Sequence, residues 1–141
     1  MTISEAKRMD DTILEAFQRL MPQLSVNHPP PEASDLAALI DSPSRLLLAR
    51  DRADQIVGTA TLSVFRIPSG LRCRIEDVIV DKSARGAGVG AELTKAALIL
   101  ARELGAPGVD LTSNPQREAA NRLYLRLGFQ PRKTNLYRYD F

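Results

Sequence analysis

The stretch "VIVDKSARGAGVGAELTKAALILA", residues 78–101, sets three alternating glycines, Gly86, Gly88 and Gly90, between an apolar β-type run and an Ala/Leu-rich helical one. Glycine takes positive φ freely and carries no Cβ to hold a ligand off the backbone. A helix that opens at such a loop leaves its first N–H groups without intrahelical partners, and its macrodipole places roughly half a positive charge there. The combination suits an anion, phosphate above all, with Arg85 at the loop entrance able to add a charge-assisted hydrogen bond. The competing structural explanation is a glycine turn that only lets a helix pack closely on a sheet.

Working outward, residues 10–24 place Ile13, Leu14, Phe17, Leu20, Met21 and Leu24 on one helical face, and a short second helix is expected over Leu36, Leu39 and Ile40 after the Pro29–Pro31 loop. "RLLLARDRADQIVGTATLSVFRI" reads as two β-type runs parted by polar residues, and "PSG" at 68–70 turns into a third, "LRCRIEDVIV". Three sequential antiparallel strands follow. Beyond the glycines come a helix over 88–104 stopped by Gly105, a strand in "GVDLTS", and a last helix with Asn114 as N-cap and Gly128 past its end. The closing "LYRYDF" is β-like. Antiparallel strands followed by alternating strand and helix imply an α/β fold on a mixed sheet.

A length of 141 residues suits one domain, 1–141. No apolar run approaches the ~20 residues of a membrane span. The opening "MTISEAKRMDD" lacks the apolar core of a secretion signal, so a cytoplasmic location is expected and no membrane partner. Cys73 is the sole cysteine and His28 the sole histidine, which excludes an internal disulfide and a Cys/His zinc cluster; no metal is expected. A net charge of +2 hints only weakly at an anionic partner, and without an aromatic-basic platform no nucleic acid is expected.

Two phosphate motifs fit poorly. A P-loop requires Lys-Ser/Thr after its last glycine, but Ala91 and Glu92 follow Gly90. The dinucleotide fingerprint is formally met by Gly86, Gly88 and Ala91, with Asp110 roughly twenty residues on, yet "DKSAR" parts the glycines from their strand and too little chain remains for that fold. A third pattern fits better. "VIVDKSARGAGVGAEL" resembles the acyl-coenzyme A loop of the GNAT superfamily of N-acetyltransferases, signature Arg/Gln-x-x-Gly-x-Gly/Ala, supplied here by Arg85, Gly88 and Gly90. "NRLYLRLGF" at 121–129 resembles the same superfamily's later motif, and order and spacing agree across residues 56–141.

The resemblance implies a GNAT-like mixed central sheet, largely antiparallel in its N-terminal half, flanked by about four helices, with a strand bulge opening a V-shaped cleft between central strands. It implies acetyl-CoA as co-substrate, its pyrophosphate on the amides of Gly86, Ala87, Gly88, Val89, Gly90 and Ala91 beside Arg85, and its pantetheine arm along Val78, Ile79 and Val80. Asn121 would bond the arm or the strand, and Arg122 a phosphate or only solvent. Tyr124 would give the departing sulfur its proton, the alternative being a tyrosine merely packed beside Leu123 and Leu127.

Glu76 is the first candidate for general base, because strict strand alternation puts it on the face of Val78 and Val80. Asp77, or neither carboxylate, remains open, as does a simple ion pair of Glu76 with Arg72 or Arg74. A backbone N–H near Val78 or Ile79 would hold the oxyanion. The partner would be a small-molecule amine or a peptide or protein amine, with residues 20–35 shaping its choice. His28 lines the acceptor mouth or is an ordinary loop histidine. Cys73 is read as a small buried hydrophobe, and Tyr137 and Tyr139 border either the acceptor site or a contact in a homodimer. The expected activity is direct N-acetyl transfer in a ternary complex. Its alternatives are a non-catalytic acyl-CoA-binding module on the same fold and, more remotely, a dinucleotide-binding protein.

Overall fold

Asp10 decides where the first helix begins: its backbone is extended and its carboxylate accepts from Ile13 N–H at 2.9 Å, satisfying one of the free donors at a helix start. The computed structural model describes residues 1–141, and helix α1 runs Asp11–Leu24, burying Ile13, Ala16, Phe17 and Leu20 at the spacing expected of an amphipathic helix. Pro22 lies in its last turn and the helix stops two residues later. Helix α2, Ala33–Asp41, opens with a capping box between Glu32 and Asp35.

The strands are β1 (Thr2–Glu5), β2 (Arg45–Arg50), β3 (Ile56–Ile67), β4 (Gly70–Val80) and β5 (Val109–Asp110), in that spatial order. The first three pairings are antiparallel, and β5 joins β4 in parallel through helix α3, Val89–Glu103. Helix α4, Glu118–Arg126, follows. The expected mixed sheet, antiparallel at its N-terminal side, is therefore present. No helix is long and apolar enough to cross a membrane.

Helices cover both faces of the sheet. On one, Val89, Leu93 and Ala97 of α3 pack with Ala60, Leu62, Cys73 and Ile75; on the other, Ile13, Phe17 and Leu20 of α1 and Leu36 of α2 pack with Leu46, Leu48 and Ile79. Burial also pushes the Cys73 thiol up from its ordinary value, in keeping with a small hydrophobic role. Helix and sheet approach closely at Gly58, where a Cβ would lie 2.7 Å from Val89 Cγ1 and 3.2 Å from Ile79 O. The first turn of α3 thus rests directly on β3, and only glycine fits beneath it.

Four sequence expectations change. β1 was hidden in a short polar "TISE" that carries no apolar alternation and is defined by pairing with β2. The strand in "GVDLTS" shrinks to Val109–Asp110, because β4 accepts it only at Cys73 and Arg74. "LYRYDF" forms no strand: its alternation finds no partner, and Leu136, Tyr137 and Tyr139 stand exposed. Asn114 caps a turn rather than α4, its Oδ1 accepting from Gln116 N–H at 2.9 Å, and Arg117 is the helix N-cap.

Candidate active site

Where β4 ends, Asp81 organises the next turn. Its carboxylate accepts from Ser83 N–H and Ser83 Oγ, both at 3.1 Å, and from Arg19 Nη1 of α1 at 2.6 Å, while its own N–H donates to Val57 O. Desolvation alone would raise its pKa, but the Ser83 hydrogen bonds and the Arg19 charge together outweigh it and hold the carboxyl below the usual range. A 3-10 turn, Lys82–Ala84, leads into the glycines.

Gly86 and Gly88 stand at φ 83° and 81°, the left-handed region, with open space where a Cβ would be. They are needed for backbone conformation rather than for clearance. Gly90 has no such φ; it lies in the first turn of α3, where an added Cβ would come to ordinary contact distance of Leu123 and Val80. The first bond back along the helix is Glu92 N–H to Gly88 O, and the N–H groups of Gly86, Gly88, Val89, Gly90 and Ala91 find no acceptor in the protein. These five residues, at the positive end of a 15-residue helix, border one region.

That region is a cleft of ≈ 890 Å³. One wall is the edge of β4 at Val78, Ile79 and Val80; the loop closes one end, and α4 with the turn before it forms the opposite wall through Arg117, Arg122, Leu123 and Tyr124. The edge is free because β5 pairs only with Cys73 and Arg74. A bulge lies just beyond: Thr61 is opposite Glu76 and Thr59 opposite Ile79, so Ala60 faces two residues, Asp77 and Val78. Asp77 takes φ 48°, an uncommon conformation for a residue with a Cβ, which fits a bulge that re-aims the strand.

The bulge overturns one expectation. Cys73 and Ile75 pack toward α3 before it, and Val78 and Val80 pack toward α3 after it, so the alternation inverts. Glu76 sits across from Thr61 on the opposite face, the one where Ile79, Leu46 and Leu48 meet α1 and α2. It does not share a face with Val78 and Val80, it does not line the cleft, and its Oε1 accepts from Arg74 Nε at 2.9 Å. An extra residue in a strand of period two has to produce this flip.

Tyr124 is brought into the cleft. Its ring meets Phe129 edge-on at 5.7 Å, and burial pushes its hydroxyl up from the ordinary value, opposed by the Arg117 charge. The phenol is therefore protonated at neutral pH. Arg122 lines the cleft with its guanidinium 3.9 Å from Glu118, and Arg85 Nε donates to Val80 O at 3.3 Å. Asn121 does not line it: its amide donates to Asn114 O and Arg117 O, bracing the turn that starts α4. Ala87 is also outside the lining, and His28 contacts Ser25 Oγ in an exposed loop. Gln23 and Leu24 reach the cleft from the end of α1, within the 20–35 segment expected to shape the acceptor's choice, although no local signal in "MPQL" singles out either residue.

A family model described as "Acetyltransferase (GNAT) family" matches residues 11–129. The chain belongs to the GNAT acetyltransferase family. Among its GNAT relatives, a protein of Oryza sativa subsp. japonica named "Probable glucosamine 6-phosphate N-acetyltransferase 2" is 35% identical over 102 residues, 68% of this chain and 59% of that one. The "Mycothiol acetyltransferase" of Propionibacterium freudenreichii subsp. shermanii is 33% identical over 94 residues, 67% of this chain and 30% of that one. The alignments thus span less than two thirds of either curated relative. An acetyltransferase structure from Trypanosoma brucei superposes with a TM-score of 0.78 at 26% identity, covering 99% of both chains.

Proposed function

We propose that this protein moves an acetyl group from acetyl-CoA to a primary amine by direct transfer in a ternary complex. The observation that carries the proposal is the junction of two backbone devices: five unpartnered amides at the start of α3, and an unpaired β4 edge leading from them to the bulge. The amides and Arg85 suit a pyrophosphate, and the free edge suits an amide-bearing arm, so the residues fit the coenzyme. Bound acetyl-CoA supplies the thioester whose acyl carbon the amine attacks.

The protein's own groups have three tasks. An alkyl amine is neutral in only roughly one part in two thousand at pH 7, so a base raises the reactive fraction. Glu76 is proposed for this role from the α1/α2 face, through water, just before the bulge. As the C–N bond forms, a backbone N–H at Val78 or Ile79 holds the developing oxyanion. As the C–S bond breaks, the Tyr124 hydroxyl protonates the sulfur. The amine's proton thus goes to the base side and the leaving sulfur gains one from the phenol.

A second proposal, acyl-CoA binding without turnover, is favoured by one observation, the engagement of Glu76 with Arg74 outside the cleft. Calorimetric titration with acetyl-CoA, with NAD as control, followed by thiol release against a panel of amines, separates the possibilities. Saturable acetyl-CoA binding with amine-dependent thiol release supports transfer. Binding without release from any amine selects the non-catalytic module, and binding of neither nucleotide by the folded protein removes both.

A further inference from the structure

Thr59 lies on β3 across from Leu48 on one side and Ile79 on the other, and register partners share a face, so its side chain belongs with theirs on the α1/α2 side. It is 1% exposed, and its Oγ1 has no hydrogen-bond partner in the protein. Thr94, also buried, shows the usual remedy: its hydroxyl donates to Gly90 O at 2.7 Å, one helical turn back. An extended strand carries that carbonyl far from the side chain, so the Thr59 hydroxyl has to be met from elsewhere. Valine has nearly the same shape and would pack against Leu48 and Ile79 with no polar atom to satisfy. A buried hydroxyl left unbonded is destabilising, and native proteins rarely keep one.

The same place holds other groups outside the ladder. The β3–β4 register passes from Thr59 opposite Ile79 to Thr61 opposite Glu76, so Ala60, Asp77 and Val78 have no one-to-one partner across the strands. A bulge of this kind interrupts the ladder and leaves backbone groups of the extra residue to find partners elsewhere. Thr59 is the residue beside it. A hydroxyl donates once and accepts twice, and a buried water makes about three hydrogen bonds, so one water between Thr59 and the bulge satisfies both. The hydroxyl is too enclosed to receive a larger ligand.

We propose that Thr59 Oγ1 and the backbone of the Ala60, Asp77 and Val78 bulge hold one ordered water, and that this water makes Thr59 a positioning residue for acetyl transfer. The water ties β3 to the part of β4 where the ladder is interrupted, and so fixes the Val78 or Ile79 N–H that holds the oxyanion. A donor fixed in advance needs no reorganisation as the charge develops. The positioning role rests on the acetyl-transfer function proposed above; the water site does not.

High-resolution crystallography comes first. A water within hydrogen-bond distance of Thr59 Oγ1 and of a backbone atom of residue 60, 77 or 78 is expected; a hydroxyl bonded to a protein group, or no ordered water there, overturns the site. Urea unfolding of Thr59→Val tests it independently. A bonded hydroxyl predicts a lower midpoint than the wild type's at unchanged slope, whereas a midpoint equal or higher means that the hydroxyl had no partner to lose and overturns the site. In steady-state kinetics Thr59→Val should lower kcat about tenfold, short of the roughly hundred- to thousandfold loss on removing an oxyanion donor itself, with KM for acetyl-CoA within about twofold. Thr59→Ser keeps the hydroxyl and should return kcat to within about twofold of the wild type. Unchanged turnover in the valine protein, or an equal loss in the serine protein, overturns the positioning role. Should the wild-type protein acetylate no amine, acetyl transfer and the positioning role fall together, while the crystal structure and the urea midpoint still decide the water site.

Discussion

The two faces of β4 solve different problems with different materials. Toward α3, the cleft is built from backbone: the unpartnered amides of Gly86 and of residues 88–91, the open edge at Val78 to Val80, and two glycines in left-handed conformation. Toward α1 and α2, the neighbouring surface is built from side chains: Arg19 on Asp81, Gln23 on Lys82, Arg74 on Glu76. Backbone donors present the same chemistry whatever the side chains, so that side suits a constant ligand. Side-chain clamps, by contrast, can be exchanged one by one.

The sharpest way to break the contrast is Gly88→Glu. The residue would need φ near 81° and would place a carboxylate at the start of α3, and acetyl-CoA affinity should fall by about a hundredfold or more while the fold persists. Calorimetry with a circular-dichroism control checks it; retained affinity would deny the backbone cradle. Next is Gly58→Val, which pushes into Val89, Leu93 and Ile79 O beneath α3. Urea unfolding should show a loss of about 1–3 kcal/mol, with looser acetyl-CoA binding as a secondary effect, since the cradle rides on that helix turn.

Tyr124→Phe keeps the ring against Phe129 and removes only the hydroxyl. Turnover should drop about a hundredfold with acetyl-CoA affinity changed by no more than about twofold, separating chemistry from binding. Because burial raises the Tyr124 pKa, the proton is retained through neutral pH, and an alkaline limb in kcat should lie above the ordinary tyrosine value and vanish in the variant. The smallest effect is expected at Asp81→Asn. The folded carboxyl has a depressed pKa, so its contribution to stability is complete above the unfolded value of about 3.9 and is lost as pH falls through the folded value. Acid titration of the two proteins should show the wild type ahead by about 1 kcal/mol or less near neutrality and that lead shrinking below about pH 4.

Much of the glycine loop and the helix after it was legible because their requirements are local. A loop of glycines free to take positive φ, a helix expected from 88 and stops at Gly105 and Gly128 are written in adjacent residues; the structure has Gly86 and Gly88 at positive φ and opens the helix one residue later, at Val89, with Gly90 inside it. The helix face of Tyr124 was legible for the same reason, since a period of 3.6 carries its phase from one residue to the next. Glu76 shows where this stops. Its face depends on the bulge at Asp77, and the bulge depends on how β3 and β4 register against each other, which period-two counting cannot detect.

The residues alone determined the glycine loop, the four helices and strands β2 to β4, and the two motifs that resemble those of acyltransferases, all of them properties of neighbours along the chain. Only the tertiary structure decided that β1 exists, that β5 stops after two residues and "LYRYDF" stays unpaired, that Glu76 turns away from Val78, and that Arg19 and Gln23 meet the loop entrance from 62 and 59 residues away. Each is a pairing between distant segments, and a pairing has no signature until both partners are in place.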